Sequence, residues 1–220
     1  MRGRVRASEE PRALATRAEL EAARRVFAAV FGAPVPSAVD LRGSLLAGGA
    51  CFGASDAPGE LDAALWAFAG HDDDGAFRHV HVLAVRAERR GRGLGERLLR
   101  AASAGQRRLT WTFDPLVAAN ARFYLERIGA VGDAWIADCY GPLEASAVPT
   151  DRLHATLHVT LHVAERSPLP GGDVVTVPLP RAEQPATERL QHLRARLAPL
   201  VGAGGRVVGF ESGAYRVAMP

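Results

Sequence analysis

The stretch HVHVLAVRAERRGRGLGERLL, residues 79–99, constrains this chain more than any other. His79 to Val85 alternates and is rich in valine and leucine, the pattern of a strand. Arg90-Gly91-Arg92-Gly93-Leu94-Gly95 follows, and the apolar spacing Leu94, Leu98, Leu99 opens a helix. Glycines at 91, 93 and 95 let the backbone turn sharply and let its N–H groups approach an anion with no Cβ in the way. Those amides meet the positive end of the helix dipole, so the turn suits a pyrophosphate. Arg90 and Arg92 add charge. Neither of the commoner glycine loops fits: a P-loop ends in Gly-Lys-Ser/Thr, and the chain has no lysine, while the dinucleotide fingerprint requires G-x-G-x-x-G with an acidic residue about 20 positions on. An Arg/Gly-rich turn before a helix also serves as a plain solvated connection, so other segments have to decide.

Residues 109–130, LTWTFDPLVAANARFYLERIGA, predict a short strand, an Asp-Pro break, and a helix from about Leu116 to Ile128 ended by Gly129. With both segments in hand, the chain resembles the GNAT superfamily of N-acyltransferases. Arg90-x-x-Gly93-x-Gly95 is similar to its acyl-coenzyme A signature, and Asn120 and Gly129 match the Asn early in the second helix and the Gly at its end. More narrowly, RHVHVLAV, WTFDPL, NARFYLERIGA, CYG and TDRL resemble one branch of predicted bacterial GNAT enzymes, from about Ala18 to Ala218. The signature helix departs from that branch by about one turn, since only Glu96 to Gly105 lie before the approach to the next strand.

The resemblance implies an α/β GNAT fold whose mixed central sheet splays at the acyl-CoA site, with a C-terminal β/α extension. Residues 1–17, charged and containing Pro11, are expected to form a flexible N-terminus, and the resemblance implies an acyltransferase core over 18–146 and an extension over 147–220. It implies an acyl-coenzyme A co-substrate (acetyl-CoA, or one with a longer or acidic acyl group) and direct transfer to a primary amine, on a small molecule or a peptide. The co-substrate would be held by Leu83, Ala84 and Val85, by Arg90, Gly91, Arg92, Gly93, Leu94, Gly95 and Glu96, and by Asn120 and Tyr124. Backbone amides near Leu83 to Val85 would polarise the thioester carbonyl. Two other readings stay open: an acyl carrier protein as donor, and a non-catalytic acyl-CoA-binding module.

The string His79-x-His81-x-Leu83-Ala84-Val85 is similar to that of arylalkylamine N-acetyltransferases, where two such histidines deprotonate the amine, partly through water. The chemistry agrees: an amine of pKa about 9 to 10 must lose a proton before attack, and a histidine of ordinary pKa near 6.5 can take it at neutral pH. Both could equally be satisfied strand histidines. In many GNAT enzymes a Tyr four residues before the helix-ending Gly protonates the leaving thiolate. That position is Leu125 here, which leaves Tyr124, rotated by about 100° on an α-helix, and Tyr140, expected at the end of the next strand. Asp114 is read as a helix cap or as a contact for the acceptor's ammonium, and Arg152 as a carboxylate ligand or one half of an Asp151-Arg152 surface turn.

All 27 basic residues are arginine, against 24 acidic ones, and a net charge of +3 is too small to imply nucleic acid. The absence of lysine excludes Schiff-base chemistry. Cys51 and Cys139 lie far apart without His or Cys neighbours at ligand spacing, so neither a disulfide framework nor zinc is expected. No apolar run approaches 18 residues and no secretion signal is evident, so the expectation is a cytoplasmic protein without membrane partners.

Further elements follow from periodicity. Leu20, Ala23, Val26, Phe27 and Val30 share one face of a helix over 18–31, and 39–46 reads as a second helix. Residues 49–54 and 63–70 read as antiparallel strands, with a turn over Ser55 to Glu60, and HDDDGA, 71–76, as a polar loop. A strand is expected over 134–140, and Leu153 to Val163 alternates strictly, placing His154, His158 and His162 on one wet face. Residues i and i+4 of a strand lie about 13 Å apart, too far to share one metal. A helix over 187–201 and a hairpin over 206–218 complete the chain.

Overall fold

The computed structural model describes residues 10–32, 34–55, 60–141, 148–159 and 173–220. The chain divides into two compact units, Met1–Leu109 and Thr110–Pro220.

In the first unit, β1 (Arg12–Ala13), β2 (Ala50–Ala54), β3 (Ala63–Asp72) and β4 (Gly75–Val85) pair antiparallel in chain order. β3 is buried at every position from Ala63 to Ala67, so both of its faces are covered. One face takes α1 (Arg17–Phe31) and α2 (Ala38–Leu46): Leu20, Ala23, Val26, Phe27 and Leu41 pack with Cys51, Ala64, Trp66 and Ala84. The other takes α3 (Leu94–Ser103), an amphipathic helix that buries Leu94, Leu98, Leu99 and Ala102. Both α1 and α2 begin with a capping box, Thr16 with Glu19 and Ser37 with Asp40, which satisfies amides that a helix start leaves unpaired.

Two sequence expectations change here, and a third is not described. Within the segment read as a flexible terminus, Arg12–Ala13 pair with β2, Leu14 is buried and Thr16 caps α1; residues 1–9 lie outside the described residues. The polar loop at 71–76 is a hairpin tip, because β3 and β4 pair out to Asp72 opposite Gly75. Arg108 makes this tip tolerable by pairing with Asp72 and Asp74 while its guanidinium lies 5.0 Å from the Phe77 ring centroid. Of the turn expected over Ser55 to Glu60, residues 56–59 lie outside the described residues.

In the second unit, the strands run in the order β5 (Arg108–Phe113), β7 (Arg152–His158), β6 (Val131–Ile136), β9 (Arg206–Glu211), β10 (Ala214–Ala218) and β8 (Val174–Pro178). β8 was not foreseen: Val174–Pro178 is too short and too proline-flanked to announce itself, and it forms because β10 offers it a partner. Helix α5 (Ala186–Gly202) buries Leu190, Leu193, Leu197 and Val201 and packs on β6, β8 and β9. Between β5 and β6 the helix starts two residues late, at Ala118, and after α4 (Ala118–Ala121) continues as a π-turn over Arg122–Arg127. β6 ends at Ile136, so Tyr140 lies in the following turn and not on a strand. The long alternating strand is described only to His158, and Leu161, His162 and Val163 lie outside the described residues. No helix among the described residues is long and apolar enough to cross a membrane.

Candidate active site

On β4 the pairing runs Trp66 with Val82, then Ala67 with Val80, so His81 is the extra residue of a β-bulge. The bulge turns its ring onto the α1–α2 face, edge-on to Trp66 at a centroid distance of 5.1 Å and 5.3 Å from Phe68. His79 lies opposite Phe68 in the register, so the two histidines share a face. The outer edge of His81 is exposed, but the aromatic neighbours shed water from the rest of the ring, and that desolvation lowers its pKa from the ordinary 6.5. The imidazole is therefore neutral at pH 7 and able to accept a proton. Trp66 is fixed in turn by its indole N–H, which donates to Ser44 Oγ at 2.6 Å.

Beyond β4, a single 3₁₀ turn, Ala87–Arg89, leads into the glycines. Gly91 and Gly93 have φ of +75° and +79°, a region that favours glycine. A Cβ built on either meets nothing within 4 Å, so these glycines serve the backbone path and an open surface. Gly93 is the N-cap of α3 and supplies no side-chain cap; the first intrahelical bond is Arg97 N–H to Gly93 O at 3.0 Å. Leu94 is buried and Gly95 has no side chain, so both reach a ligand only through their amides. Arg90 is held to the Val85 carbonyl at 3.3 Å, Arg89 to Asp62 at 3.1 Å, and Glu96 pairs with Arg100 at 2.7 Å. An uncapped helix start behind two left-handed glycines fits an anionic phosphate group. At the far end, the shortened α3 is closed by Arg78, which donates to the Ala102 carbonyl at 2.6 Å. Leu83, Ala84 and Val85 pair with Leu65, Ala64 and Ala63. In an antiparallel ladder alternate N–H groups point away from the partner, so this segment also presents an amide on its other edge.

In the second unit, the Asp114 carboxylate accepts the Leu116 N–H at 2.8 Å, an Asx turn ahead of the helix; the N-cap is Val117, without a side-chain cap. The cap reading of Asp114 is thus corrected, because the turn it forms delays the helix. The Asn120 side chain has no hydrogen-bond partner among the described residues. Tyr124 packs against Trp111 and Phe113 with centroids 5.1 Å and 5.3 Å away, and burial pushes its pKa up to about 12. Its hydroxyl makes no hydrogen bond among the described residues. Leu125, at the expected tyrosine position, is buried. The π-turn bonds Ile128 N–H to Phe123 O at 3.0 Å, and Gly129, at φ +78°, closes it through Ala130 N–H to Tyr124 O at 3.0 Å.

Tyr140 is half exposed; its hydroxyl is 3.2 Å from Thr112 Oγ1, and the Arg152 guanidinium lies 5.0 Å from its ring centroid. The bulge at His81, the Trp66–Phe68 floor and the π-turn were not foreseen. The Val-Leu alternation that marks β4 carries no sign of one extra residue, and the aromatic pair at i, i+2 was the only available hint.

The comparisons bear on this arrangement. Residues 45–130 match the acetyltransferase (GNAT) family model, a stretch that holds β4, the glycine turn, α3, β5 and the π-turn. This stretch is therefore similar to a GNAT acetyltransferase core. Among curated proteins none matches the chain. Solved structures share the GNAT fold with it at low identity. Arabidopsis thaliana Naa50, in complex with a bisubstrate analogue of coenzyme A, is 16% identical with a TM-score of 0.55, covering 69% of this chain and 100% of that one. The ribosomal-protein-S18-alanine N-acetyltransferase of Escherichia coli is 19% identical with a TM-score of 0.54, covering 70% and 96%. The Drosophila melanogaster polyamine N-acetyltransferase is 17% identical with a TM-score of 0.50, covering 68% and 100%. These neighbours show the fold of the GNAT core and leave the acceptor open.

Proposed function

We propose that this protein is a GNAT acyltransferase that moves an acyl group from acyl-coenzyme A to a primary amine by direct attack, with residues 18–146 as the acyltransferase core and 147–220 completing the domain. The observation that carries this reading is the uncapped start of α3 behind Gly91 and Gly93, within the stretch that matches the family. The Leu94 and Gly95 amides, flanked by Arg90 and Arg92, would hold the pyrophosphate, and Asn120 and Tyr124 would line the path of the pantetheine arm. The donor supplies an activated thioester. This chain's residues orient it and manage protons.

His81, kept neutral by its aromatic surroundings, would take the proton from the acceptor ammonium, with His79 relaying through water. The amine nitrogen then adds to the carbonyl carbon, giving a tetrahedral intermediate whose oxyanion an amide of Leu83 to Val85 would support; its collapse breaks the carbon–sulfur bond, and the nitrogen's remaining extra proton passes to solvent. Tyr124 is the better candidate for the sulfur. An α-turn counts four residues back from Gly129, to Leu125, but a π-turn counts five, to Tyr124. The extra residue thus offsets the sequence misregister. Its pKa of about 12 against a thiol near 8.5 makes full proton transfer uphill by about 5 kcal/mol. Tyr124 would therefore act as a hydrogen-bond donor to the departing thiolate, which solvent then protonates.

The reading is tested by following thiol release from acetyl-CoA across a panel of primary amines, with product mass as the second readout. Amine-dependent release with a matching acylated product is expected. No release with any amine, together with no coenzyme A binding by calorimetry, would sink it.

A further inference from the structure

We infer that the second unit carries a carboxylate-binding subsite built on Arg152, so that one of the two substrates is acidic; this rests on the acyl-transfer reading above. Among the described residues, three carboxylates lie along β6, at the start of β7 and in the turn between them, and each already has partners. Asp151 takes Trp135 Nε1–H at 2.9 Å, Asp138 N–H at 3.0 Å, and both Nε (2.6 Å) and Nη2 of Arg194. Asp138 takes Thr150 through N–H at 3.2 Å and Oγ1–H at 3.1 Å. Asp133 is held by His154 Nδ1 at 2.5 Å and Thr156 Oγ1–H at 2.6 Å. None of the three pairs with the Arg152 guanidinium.

Arg152 is nonetheless not loose. Its Nη1–H donates to the Asp151 carbonyl at 2.8 Å, and its guanidinium lies over the Tyr140 ring, itself fixed by the bond to Thr112. A guanidinium has five N–H donors in a rigid fork, and the described residues account for one. A planar cation stacked on an aromatic, with a donor edge unpaired among the described residues, is the arrangement that recognises a carboxylate bidentately. The same unit uses this geometry internally where Arg194 grips Asp151. On the same face of β7, two residues on, lies His154. It shields Asp133, whose pKa burial would raise but whose bonds to His154 and Thr156 hold below 3.8. An arriving carboxylate therefore meets Arg152 before any bare anion of this cluster.

The acid belongs either to the acceptor or to the acyl group, and paired substrates separate the two. With acetyl-CoA, kcat/KM is compared for alanine against alaninamide; with one neutral amine, for glutaryl-CoA against butyryl-CoA. Each ratio is measured in wild type and in Arg152→Gln, so that intrinsic reactivity cancels. One ratio is expected to fall at least tenfold in Arg152→Gln, and less in Arg152→Lys, which keeps the charge without the fork. The ratio that moves names the acidic substrate. Two unchanged ratios would overturn the subsite. Binding of glutarate alone, followed by NMR, needs no turnover: wild type is expected to bind it and Arg152→Gln to lose it. Absence of binding to wild type would overturn the subsite even if amines are acylated, whereas binding without acylation of any amine would retain the subsite and retire the transfer reading.

Discussion

A single inserted residue decides what His81 can do. Because the bulge places its ring against Trp66 and Phe68, its pKa falls below 6.5, and the base form is complete at a lower pH than for a solvated histidine. The acid limb of kcat, measured with saturating substrates, should accordingly have its midpoint below 6.5. Replacing Trp66 and Phe68 by leucine should move that midpoint toward 6.5; an unmoved midpoint would mean another group is titrating. Each of His79→Gln and His81→Gln should retain partial activity. The double variant should lose roughly 10² to 10⁴-fold in kcat/KM at pH 7, with the loss shrinking as pH approaches the amine's own pKa. Tyr124→Phe should lower kcat by about tenfold while leaving coenzyme A affinity nearly intact, as expected of a contact made mainly in the transition state. If Tyr140→Phe has the larger effect on kcat instead, the π-turn argument fails.

Among the elements, β4 through α3 is the most legible, because a period-2 run, a glycine turn and a 3.6-residue stripe follow one another without interruption. Gly93→Val tests the turn: a β-branched side chain at φ +79° must distort the path, so coenzyme A should bind at least tenfold more weakly, about 1.4 kcal/mol, with circular dichroism unchanged. Unchanged affinity would remove the phosphate role of the turn. What stayed hidden at this scale has a common cause. The bulge at His81 and the π-turn at 122–127 each add one residue to a regular element without altering its apolar pattern enough to notice. HDDDGA was misread because a hairpin tip and a loop have the same polar composition, and only the cross-strand partners of Asp72 distinguish them. The Asx turn at Asp114 shows the limit of cap signals: an aspartate before an apolar run can cap a helix or hold a turn ahead of one.

The molecule as a whole depends on contacts that no local pattern encodes. Asp151 is fully buried and grips Arg194 across 43 residues of sequence, and although burial alone would raise its pKa, the bonds from Arg194, Asp138 and Trp135 hold it below 3.8. A depressed carboxylate contributes stability above its unfolded pKa, so this contribution is complete above about pH 4 and lost as pH falls through the folded value. Asp151→Asn should lower stability at pH 7 by about 2 kcal/mol, discounted because Arg194 is partly exposed. In urea titrations the gap to wild type should narrow below pH 4, and a gap independent of pH would assign the loss to packing. The Tyr215 hydroxyl donates to the Pro115 carbonyl at 2.6 Å across 100 residues, and the Glu126 carboxylate accepts the Phe210 N–H at 2.7 Å. These clasps tie the segment that carries Tyr124 to the hairpin of β9 and β10, and β10 is also the partner of β8. The timing of synthesis follows from this. The antiparallel run β1 to β4 has emerged by residue 85 and can pair while the chain is still being made, whereas the second unit waits until residues 214–218 have emerged. Until then β8 and β9 each lack β10, and their open edges are the places where a nascent or slowly refolding chain would pair with its neighbours.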